Sequence, residues 1–140
     1  MVRLRRTEQI EVLKKVPLFS ELSKRQLNAI AKQAKQVTLA AGTVLACQGG
    51  VGREFHILVE GNARVEKGRK VIRKLSTGDT SGEISLIDEG PRTATVVAES
   101  QIELLVLNTS SFRALLDSVP GLQRKLLLTV CGYLRNAKAA

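Results

Sequence analysis

Two side chains of opposite charge, close together in the sequence, could hold one small anionic ligand. Glu83 follows Gly82 at the start of a short apolar stretch, and Arg92 follows the Gly-Pro pair that ends it. The free N–H groups at a helix start attract anions, and a guanidinium can clamp a phosphate through two hydrogen bonds. A carboxylate repels a phosphate, so Glu83 requires a hydrogen-bond donor on the same ligand, such as a sugar hydroxyl. An anion and a hydroxyl in one small molecule indicate a nucleotide.

A purely structural interpretation of the same two residues is also available. Acidic residues favour the first turn of a helix, and Glu83 would occupy that position. It could then pair with Arg92, since ion pairs of this kind are common and contribute little free energy. The two residues alone leave both interpretations open.

The whole segment around these residues resembles a known motif. The stretch from Gly82 to Val96 reads GEISLIDEGPRTATV, and it is similar to the phosphate-binding cassette of the cyclic nucleotide-binding domain family in residue type, order and spacing. The flanking chain agrees over roughly residues 16–137. PLFSELSKRQLNAIAKQAK resembles the family's opening helix, AAGTVLACQGG its first barrel turn, and FHILVEGNARV its strand-glycine-strand hairpin.

This resemblance implies a mainly β fold: an eight-stranded antiparallel β-roll, or jelly roll, with N-terminal helices and two C-terminal helices. Residues 1–140 would form a single cyclic nucleotide-binding domain. Its helices would lie in 7–35, its β-roll in 37–108 with the cassette at 82–95, and its C-terminal helices in 110–137.

The resemblance also implies roles for individual residues. Arg92 would bind the exocyclic oxygens of a cyclic phosphate, Glu83 would accept a hydrogen bond from the ribose 2′-hydroxyl, and Gly82 would let the backbone approach the sugar. A cyclic phosphate carries one negative charge, which one guanidinium and a helix start can neutralise without a metal. We therefore expect no cofactor and no metal ion.

Three further cassette residues complete the expected site. The amides of Ile84 and Ser85 would finish the phosphate cradle, and Thr93 would add its amide and a hydroxyl near the phosphate or base. The chain departs from the family at Thr80 and Ser81, where an aromatic residue is often found, and at Ser85, where alanine is usual. None of these changes removes a ligating group, but they predict looser packing and bring the affinity into question.

The base is expected to be adenine, and cGMP is the alternative ligand. A Thr after the cassette arginine occurs in cGMP-binding relatives, where it can contact the guanine amino group, and also in many cAMP-binding ones. Tyr133, Leu134 and Arg135 are the candidates for covering the base. The resemblance implies a switch in which the last helix folds over the base as the apolar turn shifts. That turn comprises Ile84, Leu86 and Ile87.

The periodicity of the chain predicts the same order of elements independently. Thr7–Lys15 and a stretch from a Ser23 cap through Lys35 have helical spacing. Ser110 or Ser111 could cap a helix through Asp117, with Pro120 in the first turn of a longer helix to about Ala137. Between them lie short β-like runs, typical of a roll or sandwich: 37–39, 44–47, 55–60, 63–67, 70–75, 93–98 and 103–108.

Composition narrows the class of protein. The 140 residues are 44% hydrophobic and 25% charged, as in a globular domain with a real core. No apolar run reaches the roughly 18 residues of a membrane span, and the N-terminus lacks the apolar core of a signal peptide. Cys47 and Cys131 fit no metal-binding spacing. These features predict a cytoplasmic protein.

The formal net charge of +9 includes a basic cluster at 64–74, which could attract polyanions. Aromatic residues are only 3% of the chain and no helix-turn-helix pattern is visible, so we expect no specific nucleic-acid binding. The favoured interpretation is a solvated hairpin whose charges protect a sheet edge.

Enzymatic alternatives find little support in the residues. His56 is the single histidine and lies within an apolar strand pattern, whereas a metal site needs three or four ligands. No Ser/His/Asp set or paired acid and base is apparent. The predicted function is regulatory binding that is transmitted to a fused or partner effector domain. Two alternatives remain: the sensor of a DNA-binding regulator whose helix-turn-helix is absent, and a degenerate module that binds no nucleotide.

Overall fold

A computed structural model describes residues 3–136, and over these residues a β-roll of eight strands lies between helices at either end. The predicted architecture, an antiparallel roll with N-terminal helices and two C-terminal helices, is confirmed. The elements in chain order are α1 (Arg6–Lys15), a 3-10 turn (Pro17–Phe19), α2 (Lys24–Gln33), β1 (Lys35–Leu39), β2 (Val44–Ala46), β3 (Glu54–Glu60), β4 (Ala63–Lys67), β5 (Lys70–Leu75), β6 (Thr80–Ser81), α3 (Glu83–Asp88), β7 (Thr95–Ala98), β8 (Ile102–Asn108), α4 (Thr109–Ser118) and α5 (Leu122–Asn136).

The strands form two four-stranded antiparallel sheets. One has the order β1-β8-β3-β6 and the other β2-β7-β4-β5. The short strand β6 pairs with the middle of β3, where His56 is opposite Ser81 and Ile57 is opposite Thr80. This pairing fixes the chain immediately before Gly82, so the segment that follows begins from a rigid position.

Strand β3 explains how the core is divided. All five residues of 55–59 are buried, because both faces of the strand are covered. Phe55, Ile57 and Val59 belong to a cluster shared with the helices, whereas Leu58 belongs to the cluster inside the roll. The rings of Phe55 and Phe112 stack with centroids 4.7 Å apart, which ties α4 to the outer face of the sheet.

Helix boundaries differ from the sequence prediction by one residue at the start of α1 (Arg6) and at the end of α4 (Ser118), and three further differences have a clear physical cause. Helix α2 ends at Gln33 instead of Lys35, because Lys35 already pairs with β8 as the first residue of β1. Helix α4 is capped by Asn108, whose side chain accepts a hydrogen bond from the amide of Ser111 at 2.8 Å. The prediction of a Ser110 or Ser111 cap is wrong, because a cap needs the extended backbone that only Asn108 has.

The third difference concerns Pro120, which was expected in the first turn of the last helix. It lies instead between α4 and α5, before Gly121, whose φ of 83° is left-handed. Ala137, the predicted last helical residue, lies outside the described residues, as does the side chain of Leu86.

Among the strands, 63–67 and 70–75 were predicted correctly, whereas β7 begins at Thr95 rather than at residue 93. Strand β6 was not predicted at all, since a two-residue strand carries no periodicity. None of the helices in residues 3–136 has the length and apolar character needed to cross a membrane.

Candidate ligand-binding site

Gly82 joins β6 to α3 and cannot be replaced by a residue with a side chain without local disruption. Its φ of 101° is left-handed, and a Cβ built on it would lie 2.5 Å from Nη1 of Arg92 and 2.5 Å from the Glu54 carbonyl oxygen. The glycine therefore serves two needs, a turn conformation and a close approach of Arg92 to the backbone. This brings three parts of the chain together: the end of β6, the start of β3 and Arg92.

Arg92 is buried, with 8% of its surface exposed, although it is a charged residue. Its Nη2 donates a hydrogen bond to the Glu54 carbonyl oxygen at 2.8 Å. Burial lowers the pKa of the guanidinium, and the carboxylates of Glu54 and Glu83 oppose that effect. An arginine pKa begins so high that the side chain remains charged at every physiological pH. The fold thus maintains a buried positive charge, which a bound anion would compensate.

The backbone of Arg92 is tied to the loop that follows β2. Its amide donates to the carbonyl of Gly50 at 2.7 Å, and its carbonyl accepts from the amide of Gly49 at 2.8 Å. Gly52 is crowded in turn, because a Cβ there would lie 2.7 Å from Arg92 Nε and 2.7 Å from the Ser85 Cβ. The glycines of this loop let it pack directly against the arginine side chain.

Glu83 is the first residue of α3 and is 4% exposed. Its Oε1 accepts hydrogen bonds from two hydroxyl groups, Thr80 Oγ1 and, at 3.2 Å, the phenol of Tyr133. The carboxylate is therefore held by hydroxyl donors from β6 and from α5. Arg92, by comparison, is held by a carbonyl oxygen of β3. Each of the two side chains therefore has hydrogen-bond partners of its own, whereas the purely structural interpretation of the sequence paired Glu83 with Arg92.

Ile84 and Ser85 lie in the first turn of α3, where backbone N–H groups lack partners within the helix. Ser85 is buried, and its Oγ donates to the carbonyl of Pro91 at 3.3 Å. This bond connects α3 to the residue before Arg92. Ser85 and Thr80, two of the departures from the family pattern, thus add hydrogen bonds to the segment. Thr93, the residue immediately after Arg92, is exposed.

Tyr133 is the base-covering candidate that the structure places beside Glu83. Its ring also lies under Arg73, whose Cζ is 5.4 Å from the ring centroid, close enough for a cation–π contact. Burial and the negative charge of Glu83 raise the pKa of the phenol, so it stays protonated and can donate. Leu134 and Arg135, the other two candidates, are exposed.

Two neighbours of the site, Glu54 and Arg73, were not identified from the sequence, and Thr80 was singled out only as a departure from the family pattern. Glu54 contributes a backbone oxygen, which no side-chain pattern can reveal. Arg73 also donates from Nη2 to the carbonyl of Thr80 at 3.4 Å, so it connects β5 to the start of the segment. The sequence offered one signal for it, because Arg73 is two residues before the buried Leu75 and shares its side of the strand.

The geometry agrees with what comparisons with known proteins show. The sequence model of the family described as "Cyclic nucleotide-binding domain" matches residues 36–119, more than half of the chain. A cAMP-dependent protein kinase regulatory subunit from Schizosaccharomyces pombe is 36% identical over 114 residues, which cover 81% of this chain and 28% of that protein. The cGMP-dependent protein kinase, isozyme 1, of Drosophila melanogaster is 36% identical over 124 residues, covering 83% of this chain and 16% of the kinase.

The fold itself has solved counterparts. A co-crystal structure of the regulatory domain of Toxoplasma gondii PKA with cAMP superposes with a TM-score of 0.83 at 27% identity. The match covers 92% of this chain and 51% of that structure. The chain spans less than a third of the length of either of the two relatives above.

Proposed function

This chain belongs to the cyclic nucleotide-binding domain family, and on that premise we propose that it binds cAMP through the segment 82–95. The observation that carries the proposal is the pair of oppositely charged side chains, Arg92 and Glu83, both buried at one short segment. Neither a free phosphate nor a neutral sugar would use both of them. A ligand with one phosphate charge and a neighbouring hydroxyl would use each.

Arg92 is the proposed phosphate ligand. Its guanidinium can give a charge-assisted pair of hydrogen bonds to the exocyclic oxygens while Nη2 remains near the Glu54 carbonyl. The buried charge is already present in the free protein, so the site is preorganised for an anion. We assign no metal ion to this site, since one guanidinium and the backbone amides suffice for a single negative charge.

Glu83 is the proposed ligand of the ribose 2′-hydroxyl. The two hydrogen bonds that it accepts come from hydroxyl groups, Thr80 and Tyr133, which shows that its carboxylate accepts this kind of donor in the folded chain. Gly82 would allow the sugar to approach, because its missing side chain leaves the backbone uncovered. The amides of Ile84 and Ser85 would complete the phosphate cradle at the start of α3.

The choice of cAMP over cGMP rests on the relatives and remains a proposal about the base. The S. pombe relative is named for cAMP, and the T. gondii structure contains cAMP. The Drosophila relative is named for cGMP. Thr93 is exposed next to Arg92, where its hydroxyl could reach either the phosphate or the base.

Tyr133 is the proposed cover of the base and the start of the output. It lies on α5 and contacts Glu83, so a ligand that engages Glu83 changes the surroundings of α5 directly. A ligand shifts such an equilibrium only by its differential affinity for the two states. We propose that α5 passes this change to a fused or partner effector domain, and that residues 1–140 act as one binding unit without catalysis of their own.

Calorimetric titration with cAMP and with cGMP tests this function. We expect the wild-type protein to bind at least one of them, and Arg92→Ala to lose at least about 2 kcal/mol of binding free energy. Arg69→Ala, which removes an exposed arginine of the β4–β5 hairpin, is the matched control and should bind like the wild type. Absence of binding to both nucleotides, or an unaffected Arg92 variant, would favour the degenerate module instead.

A further inference from the structure

His56, the single histidine of the chain, is buried at the centre of β3 and its side chain is 6% exposed. It points into the roll, since its neighbours Phe55 and Ile57 belong to the cluster on the helical side. Directly opposite, in register, is Ser81, the residue before Gly82. The imidazole is therefore next to the residue that precedes the ligand-binding segment. It also belongs to β3, the strand whose Glu54 carbonyl accepts a hydrogen bond from Arg92.

Two polar groups touch the imidazole, one at each ring nitrogen. Nδ1 is 3.3 Å from Ser81 Oγ, and Nε2 is 3.5 Å from Oε1 of Glu54. A neutral ring can satisfy only one of these contacts as a donor, whereas a protonated ring can donate at both. The geometry thus accommodates an imidazolium, with Ser81 and Glu54 as its acceptors.

Other strands contribute uncharged side chains around the ring, among them Leu45 of β2, Ala63 of β4 and Leu75 of β5, which line a small cavity with it. Val106 of β8, opposite in register, is uncharged. Asp79, in the turn before β6, lines the same small cavity as His56, and its carboxylate accepts a hydrogen bond from the Ser76 amide at 2.8 Å. Arg92 and the ring share Glu54 as a neighbour, since Arg92 Nη2 donates to the Glu54 carbonyl and Nε2 of the ring contacts the Glu54 carboxylate, and the charge of the guanidinium acts on the imidazole. Burial and then this positive charge lower the pKa of the imidazole, while Glu54 opposes them.

We propose that His56 is a proton-binding site coupled to the nucleotide site, so that a phosphate bound at Arg92 drives the uptake of one proton by the imidazole. The inference rests on the proposed function, because it requires an anion at Arg92. The cause is electrostatic: a bound phosphate cancels the positive field that opposes protonation of His56. The two acceptors needed by the charged ring, Ser81 and Glu54, are already in place.

The sign of the coupling follows from linkage. The phosphate raises the imidazole pKa from its depressed value in the free protein, and protons are taken up at pH values between the two. Nucleotide affinity therefore strengthens as pH falls through that interval and is constant above it. Each unit by which the pKa rises corresponds to a tenfold gain in affinity at low pH, about 1.4 kcal/mol.

Because the chain has one histidine, proton NMR gives its titration without assignment or mutation. We expect the imidazole signals of the wild-type protein to titrate at a higher pH with saturating cAMP than without it. Arg92→Ala should raise the imidazole pKa of the free protein, since it removes the opposing charge. An imidazole pKa that is unchanged or lowered by bound cAMP would overturn the proton coupling and leave nucleotide binding intact.

Calorimetry supplies a second readout. At a pH between the imidazole pKa values that NMR gives for the free and the cAMP-bound protein, the heat of cAMP binding should differ between two buffers of different ionisation enthalpy, in proportion to the proton uptake. His56→Gln should abolish that difference and flatten the pH dependence of affinity over the same interval between the two pKa values. The wild-type NMR titration stands alone if this variant does not fold. A protein that binds no nucleotide at any pH would overturn both the coupling and the proposed function.

Discussion

The phenol of Tyr133 donates a hydrogen bond to Oε1 of Glu83 at 3.2 Å, joining the last helix to the first residue of α3. The two residues are 50 positions apart, and this contact connects the buried carboxylate to α5. Any molecule that engages Glu83 must share it with Tyr133 or displace the phenol. We therefore expect the position of α5 to depend on what engages Glu83.

Removing the phenol should loosen α5 selectively. In Tyr133→Phe the ring keeps its contact with Arg73 but loses the bond to the Glu83 carboxylate, at a cost of about 1.5–3 kcal/mol for a charged acceptor. We expect faster hydrogen exchange of the amides in the C-terminal half of α5, measured without nucleotide. Leu134→Ala, which truncates an exposed side chain of the same helix, is the control and should leave exchange nearly unchanged. Equal protection in wild type and Tyr133→Phe would mean that the bond does not restrain the helix.

A side chain at Gly82 should be far more costly than one at another left-handed glycine. Gly82→Ala forces a Cβ against Arg92 and the Glu54 carbonyl and also strains a φ of 101°. Gly42→Ala strains a similar φ of 88° but meets nothing within 4 Å. The strained φ that both variants share costs about 1–2 kcal/mol, and we expect Gly82→Ala to exceed Gly42→Ala by at least about 2 kcal/mol in urea unfolding because only its Cβ meets other atoms.

If the two glycine variants lose equal stability, the backbone conformation alone accounts for Gly82. The close packing of Arg92 against Gly82 would then contribute nothing measurable to stability. The proposal that a glycine is needed here to let the sugar approach the backbone would lose its structural support.

The free protein should become less stable as pH falls through the titration of His56. The folded-state pKa of the imidazole lies below its ordinary value of 6.5, so the unfolded chain takes up a proton before the folded chain does. The free energy of unfolding should therefore be constant well above pH 6.5 and decrease below it, down to the folded-state pKa. Urea unfolding from about pH 8 to pH 5.5 measures this, and His56→Gln should show a smaller decrease. A wild-type stability that rises on acidification would contradict the burial of a neutral ring.

Replacing Ser85 with the family's usual alanine tests the bond across the segment. Ser85→Ala removes the hydrogen bond to the Pro91 carbonyl, and we expect a loss of about 1 kcal/mol or less in stability. Affinity should change little, because the expected ligating group at this position is the backbone amide. The calorimetric Kd of the variant, compared with that of the wild type, checks this. A large loss of affinity would indicate that the hydroxyl itself contacts the ligand.

Most helices and strands could be predicted from the sequence because the patterns that indicate them involve residues close together in the chain. The alternation of residues in 63–67 and 70–75 and the helical spacing in Thr7–Lys15 depend only on near neighbours. The cap of α4 was misplaced because Asn108 belongs to two elements at once, as the last residue of β8 and the cap of the helix. Such double roles depend on where a strand ends, which periodicity does not define.

The two charged residues of the candidate site could be predicted from the sequence, but the residues that contact them could not. Glu83 and Arg92 stand out by type and spacing within one segment. The hydrogen-bond partners of these two side chains come from β3, β6 and α5, which only the fold brings together. Neither the role of the Glu54 carbonyl nor the cation–π contact of Arg73 with Tyr133 can be inferred from residue types and spacing, although the position of Arg73 relative to Leu75 indicates its face of β5.

The proposed hydrogen bond between Glu83 and the ribose 2′-hydroxyl can be tested by removing one oxygen atom from the ligand and the charge from the side chain. Titrating wild type and Glu83→Gln with cAMP and with 2′-deoxy-cAMP measures whether the ribose hydroxyl and this carboxylate interact. A hydrogen bond to a charged acceptor contributes about 1.5–3 kcal/mol, so wild type should bind cAMP about tenfold to a hundredfold more tightly than the deoxy analogue. Glu83→Gln should discriminate much less. Equal affinity of the wild type for both nucleotides would contradict the assignment of Glu83 to the sugar, and with it the account of the site.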